Sequence, residues 1–323
     1  MKKFIGTTAL YILLILLMLE LAVRAFHLYT VDPPRFIDDH GVEKRVPHHN
    51  GYAVTGNRKQ NFSEFNINKS GFNSHREFNP SATKYEIAIV GDSYIEGFHQ
   101  DFQNSIGKKI EEKIAGIEVY QYGYAGYDFA NQMHLVYAYQ DTFNLIDEII
   151  LYLNYENDLE RDSYTPNTER IQMLSSTIFK IRDQIKLLSY GSKIGVLEPF
   201  KKLATGKNPF KTDITAYQSN EIQEETEAEK LERDKRYIAN FQNLIKLYGF
   251  DKSKTTLLLD ARKTSNIFLE FCDQNQIKYI DFSESFKKSK KPTNLIYDMH
   301  WNDHGRELIA EIIANYIRQK KPH

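Results

Sequence analysis

Cysteine is almost missing from this 323-residue chain: Cys272 stands alone. A single thiol cannot close an internal disulfide and has no cysteine partner for a metal knuckle, so disulfide frameworks and structural zinc sites are both set aside. Cys272 itself reads as a small buried hydrophobe. Charge of one sign is equally lacking, with 42 Lys plus Arg against 43 Asp plus Glu and a formal charge of −1. No cationic excess is available to neutralise phosphates, and nucleic acid is not an expected partner. Neither an internal repeat nor a low-complexity tract is visible, so a repeat architecture is not expected. What the chain does have is 41% hydrophobic and 26% charged residues, ordinary globular usage that excludes disorder as a general state.

The one long hydrophobic run is at the start. Lys2 and Lys3 precede Phe4 to Leu19, a stretch with no charge, and Leu21, Ala22 and Val23 continue it beyond Glu20. A membrane span needs about 20 mostly apolar residues. This segment reaches that length if Glu20 lies near the outer interface and Arg24 marks the end. The two lysines hold the N-terminus in the cytoplasm and send the body across. A cleavable signal peptide is the alternative, with Val23-Arg24-Ala25 as an imperfect small-x-small site. The arginine there and the length of the run favour an uncleaved anchor, residues 1–26, with the body outside the cytoplasm, periplasmic in a bacterium.

Residues 27–83 are polar, rich in Asn, His and Pro, and without sustained periodicity, which predicts a stem packing on the main domain and carrying no chemistry. From residue 84 the pattern changes. Glu86 to Val90, Ile117 to Tyr122, Asp147 to Asn154, Thr255 to Leu259 and Ile277 to Phe282 read as buried strands. Helical spacing fills 102–115, 128–142, 264–274 and 303–318. Strands separated by helices predict βαβ units and a parallel sheet. Residues 161–235 break the rhythm with an amphipathic piece and a charge-dense run, Glu221 to Arg236, and read as a helical or partly disordered insertion in a domain spanning 84–323.

In open parallel sheets, ligands sit beyond the carboxyl ends of the strands. Four segments fall there. Gly91-Asp92-Ser93 follows the first strand and sets a serine on a strand-to-helix turn, with its backbone N–H at a helix N-terminus; an ordinary helix cap is the plainer reading of the tripeptide. Gly123-Tyr124-Ala125-Gly126 follows the second, where a glycine lets a backbone N–H approach a ligand, although a turn needs glycine too. Asn157-Asp158 follows the third; its amide could donate to an oxyanion, and the pair is also common turn chemistry. Asp298-Met299-His300-Trp301-Asn302 follows the last. A carboxylate two residues before a histidine can accept its Nδ1–H and leave Nε2 free as a base. His300 and His304 with Asp298 and Asp303 could also suggest a metal cluster, but a helix cap at Asn302-Asp303 would put the histidines on either side of the helix start.

Taken in order, these blocks resemble the SGNH hydrolases, the GDSL esterase and lipase superfamily: Gly91-Asp92-Ser93 as nucleophile block, Gly126 as glycine block, Asn157 as asparagine block, and Asp298 with His300 as terminal block. The resemblance covers roughly 68–160 and 250–318. Asn68-Lys69-Ser70-Gly71-Phe72 resembles a segment before the first strand of membrane-anchored members, and Asp298 to Asn302 with Gly305 is similar to the Asp-x-His-Trp block of alginate-acetylation proteins. Two departures stand out. Glu156 occupies the place before the asparagine where the family often has glycine, and the Asp-to-His spacing is two rather than the commoner three.

The resemblance implies a three-layer, flavodoxin-like α/β fold with a central parallel sheet. It also implies a catalytic triad in which Ser93 attacks an ester carbonyl, His300 carries the proton and Asp298 fixes the imidazole tautomer. The oxyanion would be held by the N–H groups of Ser93 and Gly126 and the amide of Asn157. No cofactor and no metal are expected. The function it implies is a serine esterase acting on a small acyl ester, an O-acetyl group on a cell-envelope glycan being the leading candidate. An O-acyltransferase with the same triad and a non-catalytic glycan-binding protein are the alternatives.

Overall fold

Five short apolar runs form one parallel sheet in the computed structural model, which describes residues 1–56, 59–204, 225–296 and 298–320. The strands are β1 (Tyr85–Gly91), β2 (Ile117–Gly123), β3 (Glu148–Tyr152), β4 (Thr255–Leu259) and β5 (Tyr279–Asp281). Their order across the sheet is β2-β1-β3-β4-β5, all parallel, which is the doubly wound 2-1-3-4-5 arrangement of flavodoxin-like folds. The strands lack polar alternation because both faces are covered. Along β1, Ile87 and Ile89 turn to one face, where they pack with Ile110 and with Ile309 and Ile313. Ala88 and Val90 turn to the other, with Tyr122, Phe129, Phe241 and Phe268.

The helices that make these layers are α1 (Ser93–Glu96), α2 (Ile106–Lys113), α3 (Phe129–Ala138), α4 (Glu227–Tyr248), α5 (Asn266–Gln274) and α6 (Asp303–Lys320). Their starts are set by side-chain caps. Asp128 and Asn131 form a reciprocal capping box on α3, as Thr226 and Glu229 do on α4, and each such cap contributes about 1 kcal/mol. Helix α4 differs from the sequence expectation. Part of the charge-dense run placed in the insertion is its first turns, and the helix is the crossover between β3 and β4. Apart from the buried Asp234, the charges of its first turns line its outer side, while Tyr237, Phe241 and Leu244, spaced four and three apart, are fully buried. Residues 205–224 of that expected insertion lie outside the described residues.

The chain divides into two units. The one just described comprises 33–51, 63–168 and 226–323 and takes in most of the expected stem. There Arg35–Ile37 pairs antiparallel with Glu43–Arg45. Asn68 closes the turn before Phe72: its Oδ1 accepts the Phe72 N–H at 3.1 Å and its amide donates to Arg76 O at 3.1 Å. The other unit comprises 1–32, 52–62 and 169–225. It contains a 24-residue helix, Lys2–Ala25, long and apolar enough to cross a membrane. At 1.5 Å per residue it spans about 36 Å. Helices within 169–204 belong to it as well.

Candidate active site

The turn after β1 is made by close backbone approach. Gly91 and Gly123 are register partners on adjacent strands. A Cβ on Gly123 would lie 2.0 Å from the Glu96 N atom, and one on Gly91 would lie 2.4 Å from Ile95 Cγ1. Only glycine at both places lets α1 sit directly on the strand ends. Asp92 caps the helix, accepting the Tyr94 N–H at 2.8 Å, and Ser93 becomes its first residue.

The partner of Ser93 comes from more than two hundred residues away. Asp298–Trp301 pairs antiparallel with Asn294–Leu295 in a short hairpin, where sequence pattern suggested only a segment preceding the last helix. Trp301 fixes the hairpin. It is 3% exposed and packs edge-on against Tyr152, Phe282 and Tyr94 at centroid distances of 5.3, 5.5 and 4.9 Å. The Ser93 hydroxyl thereby reaches His300 Nε2 at 2.7 Å, with His300 Nδ1 bonded to Asp298 Oδ1. The same Oδ1 accepts the His300 backbone N–H at 3.0 Å. Burial raises the cost of the Asp298 charge, but the hydrogen bonds from His300 outweigh it and hold the carboxyl below its usual range. His304 is not part of the group: its Nε2 bonds Ser289 Oγ at 2.8 Å, and Asn302 caps α6 through Gly305 N–H at 2.9 Å.

One member of the site has no sequence signal. His99, from the turn after α1, stacks on the His300 ring at 4.0 Å and 21°, and its Nε2 lies 3.3 Å from Asp298 Oδ2. The Asp298 carboxylate is therefore clasped between two imidazoles. Burial, with the neighbouring His300 and Arg306, pushes His99 down to about 4, so it is a neutral donor at pH 7. Arg306 is fully buried and its guanidinium abuts Gly97, where an added Cβ would lie 2.7 Å from Nη1; burial brings it down to about 10. His99, Asp298 and His300 each offer a metal-ligand atom within 4.8 Å of one another, but the carboxylate oxygens are already engaged by the imidazoles.

The stem contributes as well. Arg45, 1% exposed, donates to Glu96 Oε1 at 2.8 Å. Glu96 Oε2 accepts the Ala125 N–H at 3.1 Å, and its main-chain O accepts the Asn73 amide at 2.8 Å. Glu96 thus ties the serine helix to the loop that carries Gly126. Gly126 has φ +102° and is exposed. Among the hydrogen bonds of the described residues, none engages the backbone N–H of Ser93 or Gly126, or the side-chain amide of Asn157. Asn157 is exposed, while Asn154 lines the cavity next to the triad. That cavity holds about 330 Å³, with Tyr94, Tyr152 and Trp301 as its aromatic side and Asn154 and Glu156 as polar members. Glu156 reaches this cavity and pairs with Lys263 at 3.2 Å.

Two carboxylates behind the serine are unusual. Burial, and after it the nearby Glu96 charge, pushes Asp92 up to about 7, opposed by the Tyr94 N–H bond. Asp158, buried and within the field of Asp92, is driven up as well, although it accepts the Asn154 N–H at 2.8 Å. Tyr94, whose hydroxyl donates to Met299 O at 3.1 Å, is raised to about 12 by burial and the surrounding carboxylates.

Fold and site define a doubly wound α/β protein with a hydrogen-bonded serine, histidine and aspartate at the carboxyl end of its sheet. No model of a known protein family matches the chain, and a search of characterised proteins finds no match either. Solved structures do resemble it. A lipase/acylhydrolase from Enterococcus faecalis is 12% identical over 74% of this chain and 98% of its own, with a TM-score of 0.42. A member of the lipolytic G-D-S-L family from Veillonella parvula is 12% identical over 72% and 97%, with a TM-score of 0.36. A catalytic mutant of an acetylxylan esterase from Geobacillus stearothermophilus is 9% identical over 74% and 96%, with a TM-score of 0.37.

Proposed function

We propose that this chain is a membrane-anchored serine esterase of SGNH type that removes a small acyl group from an ester, with Ser93 as nucleophile. The observation that carries the reading is the unbroken chain from Ser93 Oγ through His300 to Asp298, held at the end of a sheet by residues far apart in sequence. As Ser93 Oγ attacks the carbonyl carbon, His300 Nε2 takes its proton and Asp298 stabilises the imidazolium through Nδ1–H. The proton then passes to the leaving alkoxide, which departs as an alcohol. Water, deprotonated by the same Nε2, releases the acid and restores Ser93. The N–H groups of Ser93 and Gly126 and the amide of Asn157 serve as oxyanion donors, each worth about 10²–10³ in turnover.

For the substrate we propose an O-acetyl ester on a cell-envelope glycan. Aromatic faces with polar groups among them, as in the cavity beside His300, suit a sugar ring. An apolar N-terminal helix behind two lysines suits a body facing the envelope. The test is p-nitrophenyl acetate turnover by the full-length chain in detergent, alongside Ser93→Ala and His300→Ala. Loss on the order of 10⁶ in both variants is expected. Wild-type turnover no greater than that of the variants, in folded protein, would leave a binding role.

A further inference from the structure

Helix Thr177–Gln184 carries an amphipathic pattern turned inside out. In Thr177–Gln184, Phe179 and Arg182 are partly covered and lie against each other, 4.4 Å from guanidinium to ring centroid. Ile178 and Ile181, with Ile185 just past the helix end, recur three and four residues apart and are 78%, 47% and 42% exposed. A run at that spacing marks one helix face, and in a water-facing helix that face is normally the covered one.

The same unit shows what lies beside it. Glu20, at the end of the apolar run in helix Lys2–Ala25, accepts the backbone N–H groups of Lys186 and Leu187 at 3.1 and 2.6 Å, which makes it the anion at the start of helix Lys186–Lys193. Arg24 donates to Glu20 at 2.7 Å and to Gln184 O at 2.7 Å. The exposed isoleucines are thus fastened to the point where the spanning helix would leave the bilayer. An acidic residue at the end of a membrane segment is costly unless satisfied, and here it is satisfied by the backbone of these helices. Charge points the same way: residues 168–204 hold seven Lys or Arg against three Asp or Glu, in a chain whose overall charge is −1.

We infer that residues 168–204 are a membrane-surface element whose Ile178, Ile181 and Ile185 face dips into the interface of a bilayer bearing anionic lipid. The inference rests on Lys2–Ala25 remaining attached as an anchor, and it is independent of the esterase chemistry. Apolar burial in the headgroup region and attraction of basic side chains to anionic lipid act together in such elements. Fastened to an anchor, the face needs no affinity of its own to reach the membrane.

Nitroxide labels on full-length protein in a Cys272→Ala background test this in phosphatidylcholine vesicles with and without phosphatidylglycerol. Labels at Ile178→Cys and Ile181→Cys are expected to collide readily with oxygen and severalfold less with a water-soluble nickel chelate than a label at Asp183→Cys, on the opposite side of the same helix. The contrast should widen with phosphatidylglycerol. Equal chelate access at all three positions would overturn the inference, and no lipid dependence would remove its electrostatic half. A label at Leu13→Cys checks the anchor separately; chelate access there would sink the anchor and this inference with it, while leaving the triad untouched.

Discussion

Asp92 offers an energetic test, because its carboxyl is pushed from an ordinary 3.8 up to about 7 in the residue next to Ser93. A raised folded-state value means that the native protein binds a proton the unfolded chain has already released. Stability from this group is therefore full below pH 3.8 and is lost as pH rises towards 7. At about 1.36 kcal/mol for each tenfold step in proton affinity, the whole interval comes to roughly 4 kcal/mol. This is an upper limit, because Asp92 keeps some accessible surface. Asp92→Asn keeps the side-chain oxygen that caps Tyr94 N–H and removes the charge. Thermal unfolding of wild type and variant in detergent should give similar Tm values near pH 4. The variant should then gain as pH rises, levelling off above pH 7 at up to roughly 8–16 °C. A variant that is less stable at pH 8, or a Tm difference constant from pH 4 to 8, would refute the reasoning.

Three other substitutions probe how the site is held. Arg45→Met strands the buried Glu96 carboxylate and should cost about 3–5 kcal/mol in denaturant unfolding, with Arg45→Met/Glu96→Gln recovering much of it; a loss under about 1 kcal/mol would mean that the pair is not a tie. His99→Phe keeps the stacked ring but not the donor to Asp298, and kcat on p-nitrophenyl acetate should fall roughly 10- to 100-fold with KM little changed. His99→Gln should restore part of the loss, and equal activity in all three proteins would remove His99 from the site. Asn157→Ala should lower kcat by about 10²–10³, whereas Asn154→Ala should act mainly on KM; the reverse pattern would transfer the oxyanion role to Asn154.

Much of this arrangement could be read from short-range pattern. The β1 run, the Gly-Asp-Ser turn after it and the Asp-x-His-Trp segment announce themselves because strand burial, turn chemistry and a two-residue spacing are local properties. Distances between the blocks are not local. Nothing in the sequence around His99 marks it, since its role comes from the turn that brings it over His300. Arg45 and Glu96 are likewise ordinary charges until the stem folds back and buries them together. The charge-dense run ending at Arg236 reads as insertion because its solvent side dominates the composition, whereas the three apolar positions that seat α4 on the sheet are spread over eight residues. The asparagines beyond β3 show the same limit. Both follow the strand, and only the path of the loop decides that Asn154 lines the cavity while Asn157 is exposed.

The central claim is that His300, oriented by Asp298, makes the Ser93 hydroxyl nucleophilic. A fluorophosphonate reacts with a serine only when such a base removes its proton, and the adduct can be located by mass spectrometry of the intact chain and its peptides. The account predicts one stoichiometric adduct on Ser93 in wild type, with labelling of His300→Ala and Asp298→Ala strongly slowed. An unlabelled wild-type chain, an adduct on another serine, or labelling of Ser93 at the same rate in His300→Ala would contradict it.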